Sequence, residues 1–252
     1  MRIHFVSAVI AAALIAPGAA LAQTGHVDLS YTDQTYDFGG FDFEAELTSL
    51  GGQVAFDSAP IGVQIDGRYT SWGGDADSDA WSLGGHVFTR GDRWLFGGYL
   101  GYEDIQDFNV ELWTGALETQ FYLPNATISG VLSHSIWDGP DYEVTMLEGE
   151  YRHFINDNFT LHAGLGFGEG DIGGTDPDVW SAALGGEYLF EGMPVSVFSQ
   201  YRYNNMDFSG TELEVDSLSI GVRYNWGGTL RDRSRSGAGL NRVPTVFDRF
   251  VS

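Results

Sequence analysis

The feature that most constrains this chain is a two-residue alternation of apolar and polar side chains, repeated from Gly25 to Trp226. One segment reads Leu218-Ser-Ile-Gly-Val-Arg-Tyr-Asn-Trp226, with a large apolar side chain at every second position. Successive side chains of a β-strand point to opposite faces, so the pattern predicts strands with one apolar face. Many such segments separated by turn residues predict an all-β fold.

A longer period sets the number of strands. Aromatic residues end successive segments at intervals of 32 to 36 residues. About 33 residues hold two membrane-length strands with one short turn and one longer loop. Six such landmarks predict six hairpins and therefore about twelve strands, with a range of about 10–14. The landmarks are Phe56, Phe88, Phe121, Phe154, Phe190 and Trp226, and the Asp- and Gly-rich loops are 73–79, 103–109, 138–141, 170–178 and 207–214.

Strand length and aromatic placement favour a membrane barrel over a secreted soluble β protein. The segments of about 9–13 residues match the roughly 9–11 that a tilted membrane strand needs, whereas soluble strands average about 5–6. Hydrocarbon cannot satisfy the backbone groups of an open edge, so the sheet must close. The chain is therefore predicted to form a closed antiparallel transmembrane β-barrel with short periplasmic turns and longer extracellular loops. Two aromatic girdles are expected to mark the bilayer interfaces: Trp72, Trp81, Trp94, Trp137, Tyr142, Trp180, Phe190 and Trp226.

The N-terminal residues 1–22 have the pattern of a secretory signal peptide, with cleavage predicted after Ala22. Their apolar run, Phe5 to Ala16, is shorter than the roughly 20 residues that span a bilayer as a helix, which disfavours a membrane anchor. The predicted organisation is a signal peptide at 1–22, a barrel at 23–226 and a basic extension at 227–252. An even number of strands puts both ends of the barrel in the periplasm.

The chain resembles bacterial outer-membrane β-barrels of the porin-like class over residues 24–226. The resemblance rests on the signal peptide, the alternation, the girdles and the aromatic-ended strand at 218–226. It implies an outer-membrane location, contact with outer-membrane lipid, and recognition of the last strand by the barrel-assembly machinery. It also implies passive diffusion of small hydrophilic solutes or ions, the alternative being a non-conducting structural or surface-interaction barrel. This chain departs from the class by continuing for 26 residues after Trp226.

With the apolar face turned outward, the polar phase of each strand is expected to line the lumen. Three arginines fall on strands that are near neighbours in a closed barrel, and most carboxylates fall on other strands. This predicts a transverse field across a constriction with a modest cation preference, or alternatively internal ion pairs that fill the barrel. The candidates are Asp66, Arg68, Glu118, Glu148, Glu150, Arg152, Glu187, Arg202 and Arg223.

Charge and composition exclude other classes. The net charge is −23, all 12 basic residues are arginine, and there is no cysteine. An acidic chain is a poor partner for nucleic acid, and without cysteine there is no disulfide scaffold or catalytic thiol. The extension at 227–252 instead carries five arginines against two aspartates. It is expected to be a disordered periplasmic extension, a basic plug or gate drawn into the acidic barrel, or an arm that docks a periplasmic partner.

Neither a cofactor nor a catalytic centre is predicted, and the oligomeric state is left open. Asp75, Asp77 and Asp79 resemble the start of a calcium loop, but the glycine and glutamate that should follow are absent. Ser133-His134-Ser135 lies within one predicted strand, where neighbours face opposite sides. His134 is therefore not expected to activate either hydroxyl.

Overall fold

The computed structural model describes residues 24–58, 60–73, 78–106, 110–137, 142–237 and 239–245. It contains twelve β-strands followed by one short helix, α1 (Leu230–Ser236). The strands are β1 (Thr24–Phe38), β2 (Phe41–Ser58), β3 (Ile61–Gly73), β4 (Ser78–Arg90), β5 (Trp94–Ile105), β6 (Val110–Leu123), β7 (Ala126–Trp137), β8 (Tyr142–Asn156), β9 (Phe159–Ile172), β10 (Asp178–Leu189), β11 (Val195–Asp207) and β12 (Glu212–Trp226).

The twelve strands form a closed barrel in which each strand pairs antiparallel with the next. β1 closes the ring against β12, in a register that runs from Gly25 opposite Trp226 to Phe38 opposite Leu213. Closure satisfies the backbone groups of every strand edge, as a hydrocarbon environment requires. The predicted strand number and fold class are confirmed.

The outer face of the barrel is apolar. Leu117, Leu184 and Ile220 expose 68%, 63% and 58% of their surface, and they alternate with buried or half-buried small or polar residues. A soluble protein rarely exposes a continuous apolar belt of this kind, so the belt is the surface that faces lipid. Among the residues that the structure describes, no helix is long and apolar enough to cross a bilayer, a finding that does not bear on strands.

The two ends of the barrel differ in their connections. At the terminal end, where β1 begins and β12 ends, two or three residues separate most paired strands. At the opposite end, here called the far end, four or five residues separate most of them. Four of the five predicted far-end loops are shorter than predicted, because the strands, at 12 to 18 residues, continue into segments expected to be loops, whereas the segment between β7 and β8 is 138–141 as predicted.

The interior of the far end is packed with apolar side chains. Tyr36 on β1 belongs to the same buried cluster as Val144 on β8, although β8 lies five strands away around the ring. A second cluster joins β2 to β6, and Ala45 packs against both clusters. Together the two clusters form a far-end apolar layer around the inner wall, and its buried members are at most 7% exposed. Its buried members are Tyr36, Leu47, Trp72, Ala80, Ile105, Val110, Leu112, Val144, Met146, Val179, Met206 and Val215.

Candidate functional site

A polar cavity of about 390 Å³ lies inside the barrel. All nine charged residues that the sequence placed on the lumen side line it: Asp66, Arg68, Glu118, Glu148, Glu150, Arg152, Glu187, Arg202 and Arg223. Each of them occupies the inward phase of its strand, because the outward phase is taken by the apolar belt. Their role in solute passage stays a prediction.

The arginines of the barrel wall are paired with carboxylates. Arg223 Nη1 lies 2.5 Å from Glu187 Oε2, and Arg152 Nη2 lies 2.9 Å from Glu150 Oε1. Arg202 Nη1 approaches Glu148 Oε1 at 3.8 Å. Charges inside a barrel persist when they are paired, because an isolated buried charge is costly. Of the two arrangements left open by the sequence, the described side chains form internal ion pairs.

Asp28 is a member of this network that the sequence did not single out. Its Oδ1 lies 3.5 Å from Arg223 Nη2, and its Oδ2 lies 3.5 Å from Arg68 Nη2. The pair with Arg68 reaches across β2 at Gly51, where an added Cβ would stand 2.8 Å from the Asp28 carboxylate and 3.0 Å from the guanidinium. Asp28 lies on the polar phase of β1, which is the signal that identifies it.

His86 joins two of the predicted carboxylates. Its Nε2 lies 2.7 Å from Asp66 Oδ2 and its Nδ1 lies 2.8 Å from Glu118 Oε2, and the ring is fully buried. The three residues come from β3, β4 and β6. They form a cross-strand bridge that fixes both carboxylates against the wall.

The first part of the C-terminal tail packs against the terminal end of the lumen, where Leu230, Arg233 and Ser234 line the cavity. Thr229 caps α1, accepting a hydrogen bond from Asp232 N at 3.1 Å, while Asp232 Oδ2 accepts one from Thr229 N. The guanidinium of Arg233, with 5% of the residue exposed, donates to Asn225 Oδ1 and lies 2.6 Å from His26 Nδ1. Burial lowers the pKa of Arg233 to about 10, so it remains protonated at neutral pH.

α1 is also tied to two turns of the barrel. Arg231 N donates to Asp157 O at 3.1 Å, and its Nη1 lies 3.0 Å from Asp157 Oδ1 in the turn after β8. Arg235 donates to Pro124 O at 3.0 Å in the turn after β6. The helix is thus anchored at several points around the rim of the terminal end.

After α1 the tail continues inside the barrel. Gln120 Nε2 donates to Gly239 O at 3.0 Å, and Gln64 Nε2 donates to Leu240 O at 2.9 Å. Further along, Thr245 Oγ1 donates to Glu103 Oε2 at 2.5 Å. A disordered extension therefore does not describe residues 229–237 and 239–245, which are folded against the lumen wall. Residues 246–252 lie outside the described part of the chain.

The tail changes the charge balance of the cavity. The lining of the cavity includes six carboxylates and six arginines, and two of these arginines, Arg233 and Arg242, come from the tail. Without the tail the wall alone would present four arginines against the same six carboxylates. The described tail thus neutralises the acidic excess of the lumen.

The aromatic girdles are only partly as predicted. Trp72 is 7% exposed within the far-end apolar layer, Trp137 packs against that layer, and Tyr142 stacks on Trp137 with ring centroids 4.5 Å apart. The prediction that these three face the lipid is wrong. At the far end both faces of the strands carry apolar side chains, so the alternation does not show which face a residue occupies. Trp94 and Trp180 are 41% and 39% exposed. Trp81 and Trp226 lie half-buried on the lipid-facing phase, and Phe190 lies half-buried in the turn after β10.

The sequence analysis also missed part of the aromatic girdle near the far end. Trp113, 43% exposed, packs edge-on against Tyr102, whose ring also contacts Trp81 at 5.3 Å. Tyr203 contacts Trp180 at 4.8 Å. All of these rings occupy the outward phase near the far end, and that phase would have identified them.

The remaining candidates are partly outside the described residues. Ala22, Asp75 and Asp77 are not described, so signal cleavage and the calcium loop stay predictions. Ser133 and Ser135 are 4% and 5% exposed on the inward side, whereas His134 faces outward with about half of its side chain exposed. The expected separation of His134 from both hydroxyls is confirmed.

Comparison with known proteins gives a likeness of fold. No protein-family model and no curated protein matches the chain. The KdgM porin, solved in complex with disordered oligogalacturonate, matches 79% of this chain and 99% of its own, with a TM-score of 0.57 and 9% identity. An outer-membrane channel from Pseudomonas putida F1 matches 81% and 95%, with a TM-score of 0.57 and 12% identity.

A third match is the CymD monoaromatic hydrocarbon channel, with a TM-score of 0.54, 10% identity, and coverage of 86% of this chain and 93% of its own. All three are described as channels or porins, and the second as an outer-membrane channel. At such low identities the likeness concerns the fold. The chain therefore has the fold of outer-membrane β-barrel channels, in agreement with the location predicted from its sequence.

Proposed function

We propose that this protein is an outer-membrane channel for passive diffusion of small hydrophilic solutes, with a modest preference for cations. The observation that carries the proposal is the charged cavity of about 390 Å³ inside a closed barrel. A structural barrel needs no such cavity, whereas a lumen lined with polar and charged groups lowers the barrier for a hydrated solute. The fold is also shared by channels described for solutes as different as oligogalacturonate and monoaromatic hydrocarbons.

The tail is the plug of this channel. It contributes two arginines to the cavity lining, so its withdrawal leaves an acidic lumen that attracts cations. We assign the terminal end to the periplasm, where the tail has room to leave. β12, which ends at Trp226, is the strand that we propose the barrel-assembly machinery recognises.

Planar-bilayer recording tests the proposal. Mature protein, residues 23–252, is compared with residues 23–228, and heat-dependent gel mobility verifies that both are folded. The truncated barrel is expected to conduct steadily, with a reversal potential in a KCl gradient that favours cations. The full chain is expected to conduct intermittently. Equal conductance of the two proteins would refute the plug.

A non-conducting structural or surface-interaction barrel is the second candidate. It is favoured by the far-end apolar layer, whose buried side chains expose at most 7% of their surface to solvent at that end of the lumen. If both proteins are folded and silent, this second function replaces the first.

A further inference from the structure

The tail follows the inner face of β4, as a peptide would follow a binding groove. Along β4, Arg90 Nη2 donates to Gly237 O at 3.0 Å, Phe88 packs with Leu240, and Ser82 Oγ accepts from Arg242 Nη1 at 3.2 Å. The order of these contacts along β4 follows the order of the tail. The tail therefore runs along the inner wall from the terminal end towards the far end.

Successive tail side chains point to different walls. Leu240 is 3% exposed and packs with Phe88, Leu95 and Tyr122. The next residue, Asn241, turns to β8, where its Oδ1 accepts from Arg152 Nη2 at 2.9 Å and its Nδ2 donates to Glu150 Oε2 at 3.1 Å. Arg242 turns back to Ser82 on β4, so residues 240–242 alternate between two walls as the side chains of an extended chain do.

Two glutamine side chains hold the main chain of the tail. Gln64 Nε2 donates to Leu240 O at 2.9 Å, and Leu240 N donates back to Gln64 Oε1 at 3.4 Å. A carboxamide offers one donor and one acceptor side by side, as the backbone of a neighbouring strand does. Gln120 Nε2 donates a single hydrogen bond to Gly239 O at 3.0 Å, while its Oε1 accepts from Tyr122. These contacts recognise a peptide unit whatever side chain it carries.

We propose that the wall formed by β3 to β6, together with Arg152 and Glu150 of β8, is a binding site for short extended peptides. The main chain is held by Gln64 and Gln120, and an apolar side chain enters the pocket of Phe88, Leu95 and Tyr122. Backbone contacts give affinity and alternate side-chain pockets give preference, as in other sites that bind extended peptides. All these partners belong to barrel strands, so they remain when the tail leaves. That the channel selects such peptides as solutes rests on the proposed function.

The binding site is tested on the full mature chain carrying Leu240→Asp, which places a charge in the apolar pocket and releases the tail. The probe is a labelled nonapeptide with the sequence of residues 237–245, added in trans and followed by fluorescence anisotropy in detergent micelles. It is expected to bind this variant and to bind the unmodified protein at least tenfold more weakly, because the tail competes. Failure to bind the folded variant overturns the site.

Protein variants and altered peptides distinguish specific recognition from non-specific binding. Gln64→Leu in the same background is expected to weaken binding about tenfold through the loss of two hydrogen bonds. Gln34→Leu is the matched control, since Gln34 is buried and bonded to Ser217 and Tyr36. A peptide with aspartate at the Leu240 position tests the pocket with the protein unchanged. Equal affinity for this altered peptide overturns the site.

Solute selection is measured separately by liposome swelling with the tail-released variant. A tetrapeptide, Gly-Leu-Asn-Arg, is compared with a trisaccharide of similar mass, and the peptide is expected to enter several-fold faster. Equal entry overturns peptide selection. If no solute enters but the nonapeptide still binds, the diffusion channel fails while the peptide site stands.

Discussion

Replacing Leu240 by alanine is expected to loosen the tail without disturbing the barrel. Leu240 is 3% exposed in its pocket of Phe88, Leu95 and Tyr122. Removing a buried leucine side chain to alanine costs about 2–5 kcal/mol. At about 1.4 kcal/mol per factor of ten, the docked-to-released ratio of the tail should fall by at least roughly 25-fold. The barrel strands keep their own pairing, so the loss concerns the tail.

Hydrogen exchange with mass spectrometry measures this equilibrium directly. Amides of residues 239–245 should exchange at least about 25-fold faster in Leu240→Ala than in the unmodified protein, in proportion to the released population. Leu112→Ala is the control, since Leu112 is 1% exposed but packs in the far-end apolar layer. It should destabilise the barrel with little effect on tail exchange. Unchanged tail exchange in folded Leu240→Ala would refute the pocket as the anchor.

Three other substitutions have defined outcomes. Thr229→Ala removes the capping box of α1 and should lower the stability of the helix by about 1 kcal/mol, which corresponds to roughly fivefold faster hydrogen exchange of the helix amides. Unchanged exchange would mean that the contacts with the rim alone hold the helix. Arg223→Met leaves Glu187 without its ion-pair partner at 2.5 Å and should lower the free energy of unfolding, measured by urea titration, by about 3–5 kcal/mol. An unaltered urea midpoint would show that the ion pair does not stabilise the barrel. Leu47→Ser should wet the far-end apolar layer and raise the conductance of the tail-released protein, whereas Leu218→Ser on the lipid face should leave conductance unaltered.

The barrel itself was predictable because lipid imposes a rule on every strand. Each outward position within the bilayer must be apolar, so the alternation marks both the strands and the faces. The nine lumen residues followed from the same rule, since a charge such as Glu187 has only the inner face available. Strand number followed from the spacing of the aromatic landmarks.

The rule fails where the interior is also apolar. Met146 and Leu147 interrupt the alternation in β8, yet Met146 is 2% exposed inside the barrel and Leu147 is 61% exposed outside. The strand is regular there, and its irregularity lies instead between Phe154 and Asn156. Trp72 was misassigned for the same reason. An apolar residue near a strand end carries no sign of the face it occupies.

The position of the tail was beyond sequence reasoning because its contacts are long-range. Gln64 and Leu240 are separated by 176 positions, and no local pattern joins them. The basic charge of the extension favoured attraction to the acidic barrel without saying which groups meet. The hydrogen bonds of the two glutamines depend on geometry that only the closed barrel provides.

The location of the tail has a consequence for the order of assembly. Its partners include His26 on β1, Gln64 on β3, Glu150 on β8 and Asn225 on β12. These groups surround one space only after the first strand has met the last. The tail therefore cannot make all of these contacts until the ring is complete. Its docking therefore marks a finished barrel, and an unfinished one is recognisable by a loose, protease-sensitive C-terminus.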